Sequence, residues 1–321
     1  MTDSSFSMVL PPAMIKRARE FTGPPTPARP AATVVLLRPH SAAAQPHSNT
    51  AQPQPQSNTA QPQPQSDTAQ PQPLDDASRV HSDASQPQSD AAQPQDGAFQ
   101  VYVLRRATTM VFGGVYAFPG GVVDPSDSPS TIRTDWADRL GVPDPQARAI
   151  VGAAARELFE EAGILLAGPV DQPGRTVTDV STADWEDDRA AVLRRDLTMT
   201  DLLNRRGLRL RDDLLLPWAR WITPEFEPRR YDTWFFAALL PDTQTARDVS
   251  GEADGTAWID PSTTDLPMLP PTLRTLRQIA DCATIPAVVA AAAHRDAATP
   301  LNPRIEVTPD GQVILHLPTH P

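Results

Sequence analysis

Arg156-Glu157-Leu158-Phe159-Glu160-Glu161-Ala162-Gly163-Ile164 is the stretch on which the reading of this chain turns. At about 100° per residue, Glu157, Glu160 and Glu161 share one side of a helix at i, i+3 and i+4, where side chains are neighbours. Like charges so placed repel, by a few tenths of a kcal/mol per pair even in water, and a hard divalent cation such as magnesium relieves them. Val151, Ala154, Ala155, Leu158, Phe159 and Ala162 fall on the opposite side, which predicts an amphipathic helix with its acidic face outward. Gly163 ends the helix in the left-handed conformation that glycine adopts cheaply, and Ile164-Leu165-Leu166 resumes as an apolar run. Taken alone, the carboxylates favour the plainer reading of a solvated acidic face.

Upstream, Phe118-Pro119-Gly120-Gly121-Val122-Val123-Asp124 is a stiff loop whose paired glycines let the backbone approach another group closely. The two segments together resemble the Nudix hydrolase box, G-x5-E-x7-R-E-U-x-E-E-x-G-U with U aliphatic. Arg156 to Ile164 matches its second half throughout. Counting from Gly121 reaches Asp127 where the box has glutamate, and an extra segment containing Trp136 and Asp138 separates the halves. A box split in this way, followed by Trp218 to Pro224 and by Pro228-Arg229-Arg230-Tyr231-Asp232-Thr233, is similar to the acyl-coenzyme A diphosphatase branch. In the signature described for that branch, Gly114 falls on the glycine position and Met110 on the arginine position.

The resemblance implies an α/β Nudix fold, a mixed β-sheet sandwiched between helices, here with a helical insertion and a long disordered loop. It implies that Glu157, Glu160 and Glu161 hold Mg2+ or Mn2+, that Arg156 orients them, and that a glutamate of a late loop, Glu252, serves as a further metal ligand or as base, Glu157 being the other candidate base. Gly120 and Gly121 would close the backbone on the metal helix, and Arg229 and Arg230, a pair of guanidinium groups in a Pro-flanked turn, suit a phosphate-bearing substrate. The implied reaction is hydrolysis of the diphosphate bond of a small molecule, first coenzyme A or an acyl-coenzyme A, giving (acyl)phosphopantetheine and adenosine 3',5'-bisphosphate. The alternatives are a pyrophosphatase for ADP-ribose or a dinucleotide such as NADH, and a non-catalytic nucleotide-binding module, against which the intact acidic set argues.

Composition bounds the rest. With 321 residues, 40% of them hydrophobic, the chain can bury one substantial core. A net charge of −11 argues against nucleic acid as partner, because a polyanion binder needs a basic stripe to release counterions. One cysteine, Cys282, rules out an internal disulfide framework, and no apolar run is long enough to span a bilayer, so a cytoplasmic protein without membrane contact is expected. The final residues Pro318-Thr319-His320-Pro321 do not form a peroxisomal address of the Ser-Lys-Leu kind.

Along the chain, an N-terminal segment (1–30) precedes a catalytic domain (31–38 and 98–285). That domain is interrupted at 39–97 by a Gln/Pro-rich repeat too poor in apolar residues to offset the entropy of ordering. Thr33 to Arg38 and Phe99 to Arg106 read as neighbouring strands. Within the insertion at about 170–216, Trp185 to Leu193 and Met199 to Arg206 read as helices, with Thr200 as N-cap; the pair reads first as a cover for the sheet, and alternatively as the wall of an acyl or pantetheine pocket. Trp221 to Thr223 and Thr233 to Leu240 read as strands, Pro270 to Cys282 as a helix, and 286–321 as a C-terminal helix and hairpin extension.

Overall fold

The structure is a computed structural model that describes residues 7–9, 12–40, 98–109, 113–249, 251, 253–308 and 312–316. The expectation for the repeat therefore lies, from residue 41 to 97, outside the described residues, and so does Glu252.

Eight strands build the central sheet: β1 (Arg29–Pro39), β2 (Phe99–Arg106), β3 (Tyr116–Ala117), β4 (Gly120–Val122), β5 (Leu216–Ile222), β6 (Tyr231–Leu239), β7 (Ala253–Ile259) and β8 (Pro300–Leu301). Their order is β7-β2-β1-β6-β5-β8, with β3 paired to β2 and β4 to β1. The sheet is mixed: β1 runs parallel to β6, from Arg29 opposite Tyr231 to Leu37 opposite Leu239, while β2 and β4 flank β1 antiparallel. β1 reads as an unbroken apolar run because both its faces are covered. Val34 and Leu36 join one core cluster, Val35 and Leu37 the other, and all four are fully buried. β6 divides in the same way, with Trp234, Phe236 and Ala238 to one side and Phe235 and Ala237 to the other.

The first face is covered by the helix Asp144–Ala162, with Ile150, Val151, Ala154, Leu158 and Phe159 in its core cluster. The second is covered by Pro270–Ala280 and Ile285–Ala292, which contribute Leu276, Ile279 and Val288. This is the expected sheet between helices. A separate three-stranded sheet pairs Ser7–Val9 with Val313–His316, and Val313–His316 with Arg304–Val307. Around it, Met14 of the helix Pro12–Glu20 packs with Val313, Leu315 and Phe226. Among the described residues, no helix is long and apolar enough to cross a membrane.

Three expectations are corrected. The Asp144–Ala162 helix is not acidic outward: Glu157, Glu160 and Glu161 are 7%, 2% and 7% exposed, because β4 lies against Glu157 and Glu161 and the insertion covers Glu160. Its helices, Ala183–Leu193 and Met199–Arg205, lie where expected, but they pack over the acidic helix, Phe159 meeting Trp185 edge to face at 6.4 Å. The second insertion helix is capped by Thr198, whose hydroxyl accepts from the Asp201 N–H at 3.0 Å, and Thr200 lies inside the first turn. The segment that splits the box ends in a short helix, Trp136–Leu140, anchored by Trp136, which is fully buried and donates to Asp212 at 2.7 Å.

Candidate active site

The acidic helix stops where the sequence requires. Gly163 has φ +65°, its N–H donates to Phe159 O at 3.1 Å, and Ile164 N–H reaches back to Leu158 O at 3.4 Å, which satisfies the last carbonyls. Two turns upstream, Arg156 organises the carboxylates. Its Nε and Nη2 grip both oxygens of Asp127 at 2.7 and 2.9 Å, and Nη2 also donates to Val122 O at 2.9 Å. Nη1 donates to Glu157 at 2.7 Å and to Glu160 at 2.9 Å. Asp127 thus fills the position where the box has glutamate, and its shorter side chain makes the bidentate grip from a loop joined to β4.

Glu161 accepts from the Gly120 N–H at 2.8 Å, which ties the acidic helix to β4. Gly121 lies directly over Glu157: an added Cβ would stand 2.7 Å from the Glu157 Cδ. Glu157 can make room only by leaving its hydrogen bond to Arg156 in a buried site. Gly121→Ala is therefore expected to displace the carboxylate, lowering turnover by roughly two orders of magnitude while the Tm falls only a few degrees. Equal kinetics for the variant and the wild type would show that the close approach is not needed.

Glu160 has a second partner that the sequence does not suggest. Arg195, in the turn after Ala183–Leu193, pairs with the Glu160 oxygen Oε1, and Arg189 donates to the Glu160 backbone carbonyl at 3.2 Å. Each of the three glutamates is turned onto protein donors, and among the described residues no three His, Cys, Asp or Glu side chains converge on a common point. Their chemistry nevertheless fits a hard divalent cation. All donors are carboxylate oxygens, and three carboxylates, Asp127, Glu157 and Glu160, face the two guanidinium groups of Arg156 and Arg195, with Glu161 beside them on the Gly120 N–H.

The excess charge has a measurable sign. Burial, with the adjacent Glu160 charge adding to it, pushes Glu157 up to about 7 despite its contact with Arg156. Burial lowers Arg156 on its own, but hydrogen bonds to Asp127 and the surrounding carboxylates more than reverse this and hold it above its ordinary value. A carboxyl raised in the folded state favours folding below its unfolded value, near 4.5, and that contribution is lost as pH rises through about 7. The Tm of metal-free protein should thus fall between pH 5 and 8, less steeply in Glu157→Gln. A steeper fall in that variant would contradict the assignment.

A cavity of about 480 Å³ opens in front of these groups. Glu157, Glu160, Glu161, Gly120 and Gly121 line one side, so the structure brings these five expected residues together. The paired arginines separate. Arg229 is exposed and lines the cavity, whereas Arg230 is 8% exposed, lies off the cavity lining and donates to Thr223 O at 3.0 Å and Thr26 O at 2.8 Å, holding the turn to the N-terminal segment. Sequence reading misses Arg106 and Arg195 on the cavity wall, and also Met14 and Leu315, which the small terminal sheet and its helix bring to the rim. An ion pair from Arg17 to Glu227 at 2.8 Å fastens that helix to the turn before β6.

No family model matches the chain. It is similar to a Caenorhabditis elegans protein provisionally named nudix hydrolase 7, at 29% identity over 163 residues that cover 50% of this chain and 47% of the relative. It is also similar in structure to a NUDIX hydrolase from Alicyclobacillus acidocaldarius, with a TM-score of 0.51 and 23% identity over 83% of this chain and 96% of that one. The likeness to the solved NUDIX hydrolase shows the fold, and the curated relative, similar over half of this chain, carries the same family name. The chain spans about half the length of the curated relative it matches.

Proposed function

We propose that this chain is a Mg2+- or Mn2+-dependent pyrophosphohydrolase that cleaves the diphosphate bond of a nucleoside diphosphate-linked small molecule, with coenzyme A or an acyl-coenzyme A as preferred substrate. The observation that carries the reading is the convergence, on one cavity, of the Arg156-organised carboxylates and three further guanidinium groups, Arg106, Arg195 and Arg229. Glu157, Glu160 and Glu161 would hold the metal, which when bound neutralises diphosphate oxygens and lowers the pKa of bound water. Arg156 keeps those carboxylates in register, its fork fixed by Asp127. The cavity-wall arginines take the substrate's phosphate oxygens through charge-assisted hydrogen bonds. Water adds its oxygen to one phosphorus, the bridging P–O bond breaks, and two phosphate-terminated products leave, their oxygens held by the same donors.

The preference for coenzyme A rests on the rest of the wall. Phe118, Trp221, Phe235, Leu269, Met14 and Leu315 give the cavity an apolar arm that suits an extended pantetheine or acyl chain better than a second ribose. The test is product release from coenzyme A, acetyl-coenzyme A, ADP-ribose and NADH with Mg2+ and with Mn2+. Highest kcat/KM for the coenzyme A compounds is expected. Preference for ADP-ribose or NADH would overturn the substrate assignment, and metal-dependent turnover of none would leave a nucleotide-binding module as the better reading.

A further inference from the structure

Glu160 is held by two guanidinium groups that differ in their freedom to leave. Arg156, 2% exposed, is pinned by four other contacts: two to Asp127, one to Glu157 and one to Val122 O. Arg195 has a 44% exposed side chain whose other hydrogen bond goes to Val192 O at 3.0 Å, in its own turn. It comes from the insertion, outside the acidic motif, and its backbone has φ +64°, a left-handed conformation that costs an arginine strain that a glycine would avoid. Such strain persists where the surroundings impose it and clusters at functional sites. Here the helix end imposes it: Asp196 N–H reaches back to Ala191 O at 2.9 Å, a left-handed closing turn usually built on glycine, and that turn brings Arg195 to the Glu160 carboxylate and to the cavity lining while Arg189 on the preceding helix meets the Glu160 carbonyl.

We propose that Arg195 is an exchangeable countercharge: it neutralises Glu160 until a divalent cation takes that carboxylate, then turns into the cavity and binds the substrate's diphosphate. This rests on the proposed metal-dependent function and adds to it a residue through which metal and substrate binding are linked. Metal binding releases the guanidinium that the substrate needs, and by reciprocity the substrate, by engaging that guanidinium, favours the metal.

The test compares Mn2+ binding without substrate, by electron paramagnetic resonance titration, with the KM for coenzyme A, in wild type, Arg195→Gly and Arg195→Lys. Glycine suits φ +64°, which offsets part of the lost Glu160 pair, so Arg195→Gly should fold and melt within a few degrees of wild type. Its apparent Mn2+ Kd should fall about five-fold, the scale of a partly exposed ion pair no longer competing for Glu160. Its KM should rise roughly ten-fold or more with the loss of a charged hydrogen bond to substrate, and lysine should recover part of both. A merely structural Arg195 would weaken Mn2+ binding when removed. Mn2+ binding in Arg195→Gly that is unchanged or weaker than in a hydrolytically active wild type would overturn this proposal alone. No Mn2+ binding and no turnover in wild type would overturn it together with the proposed function.

Discussion

Arg156→Ala is expected to cost about 3–5 kcal/mol of folding stability, the scale for removing one partner from a buried charge cluster, which is a large part of the roughly 5–15 kcal/mol typical of a whole domain. Asp127, Glu157 and Glu160 are all buried against this guanidinium, and Asp127 has no other cation within ion-pair reach among the described residues. Lysine should rescue poorly. An ammonium is a point charge that cannot grip both Asp127 oxygens while reaching Val122 O, Glu157 and Glu160. Urea denaturation followed by circular dichroism measures the effect, and a midpoint equal to that of wild type would mean that the fork does not hold the cluster together.

Glu161→Gln should give the opposite pattern, a loss of turnover with the fold retained. Its amide oxygen can still accept from the Gly120 N–H, so the link between the acidic helix and β4 survives. The substitution leaves the pairs of Arg156 with Asp127, Glu157 and Glu160 in place, so a Tm close to that of wild type is expected. The metal contribution it weakens is several kcal/mol, and kcat should drop on the order of a thousand-fold. Glu160→Gln should lose activity as far but leave Arg195 without its carboxylate, so its Tm should fall below that of Glu161→Gln. Retention of wild-type kcat in Glu161→Gln would remove this residue from the proposed metal set.

The parts of the site that lie on one helix are legible in the sequence. Arg156, Glu157, Glu160 and Glu161 are bound by helical geometry, and the Gly120-Gly121 approach follows from a loop that only glycine accommodates against Glu157. What escapes the sequence is what comes from elsewhere in space. Periodicity puts the carboxylates on the solvent side of an amphipathic helix because, within that helix, nothing says that β4 and a later insertion will cover it. Arg195 becomes a partner of Glu160 only through a left-handed turn following Ala183–Leu193, and arginine carries no sequence signal for that conformation. Arg229 and Arg230 look equivalent as neighbours, yet one faces the cavity and the other is committed to two backbone carbonyls. The strands are easier to read, since β1, β2 and β6 are apolar runs whose alternation is decided locally.

The connection between β1 and β2 has a practical side. His40 N–H donates to Ala98 O at 2.9 Å, just beyond the pairing of Pro39 with Phe99, so the chain leaves the sheet and re-enters it at adjoining positions. The entropy of closing a loop grows only with the logarithm of its length, each doubling costing about 0.6 kcal/mol. Two strands of the core are therefore joined at a port that accepts lengthening, shortening or an inserted reporter domain whose own ends lie close together. A fluorescent protein spliced there would report on the folding of the sheet from inside the chain.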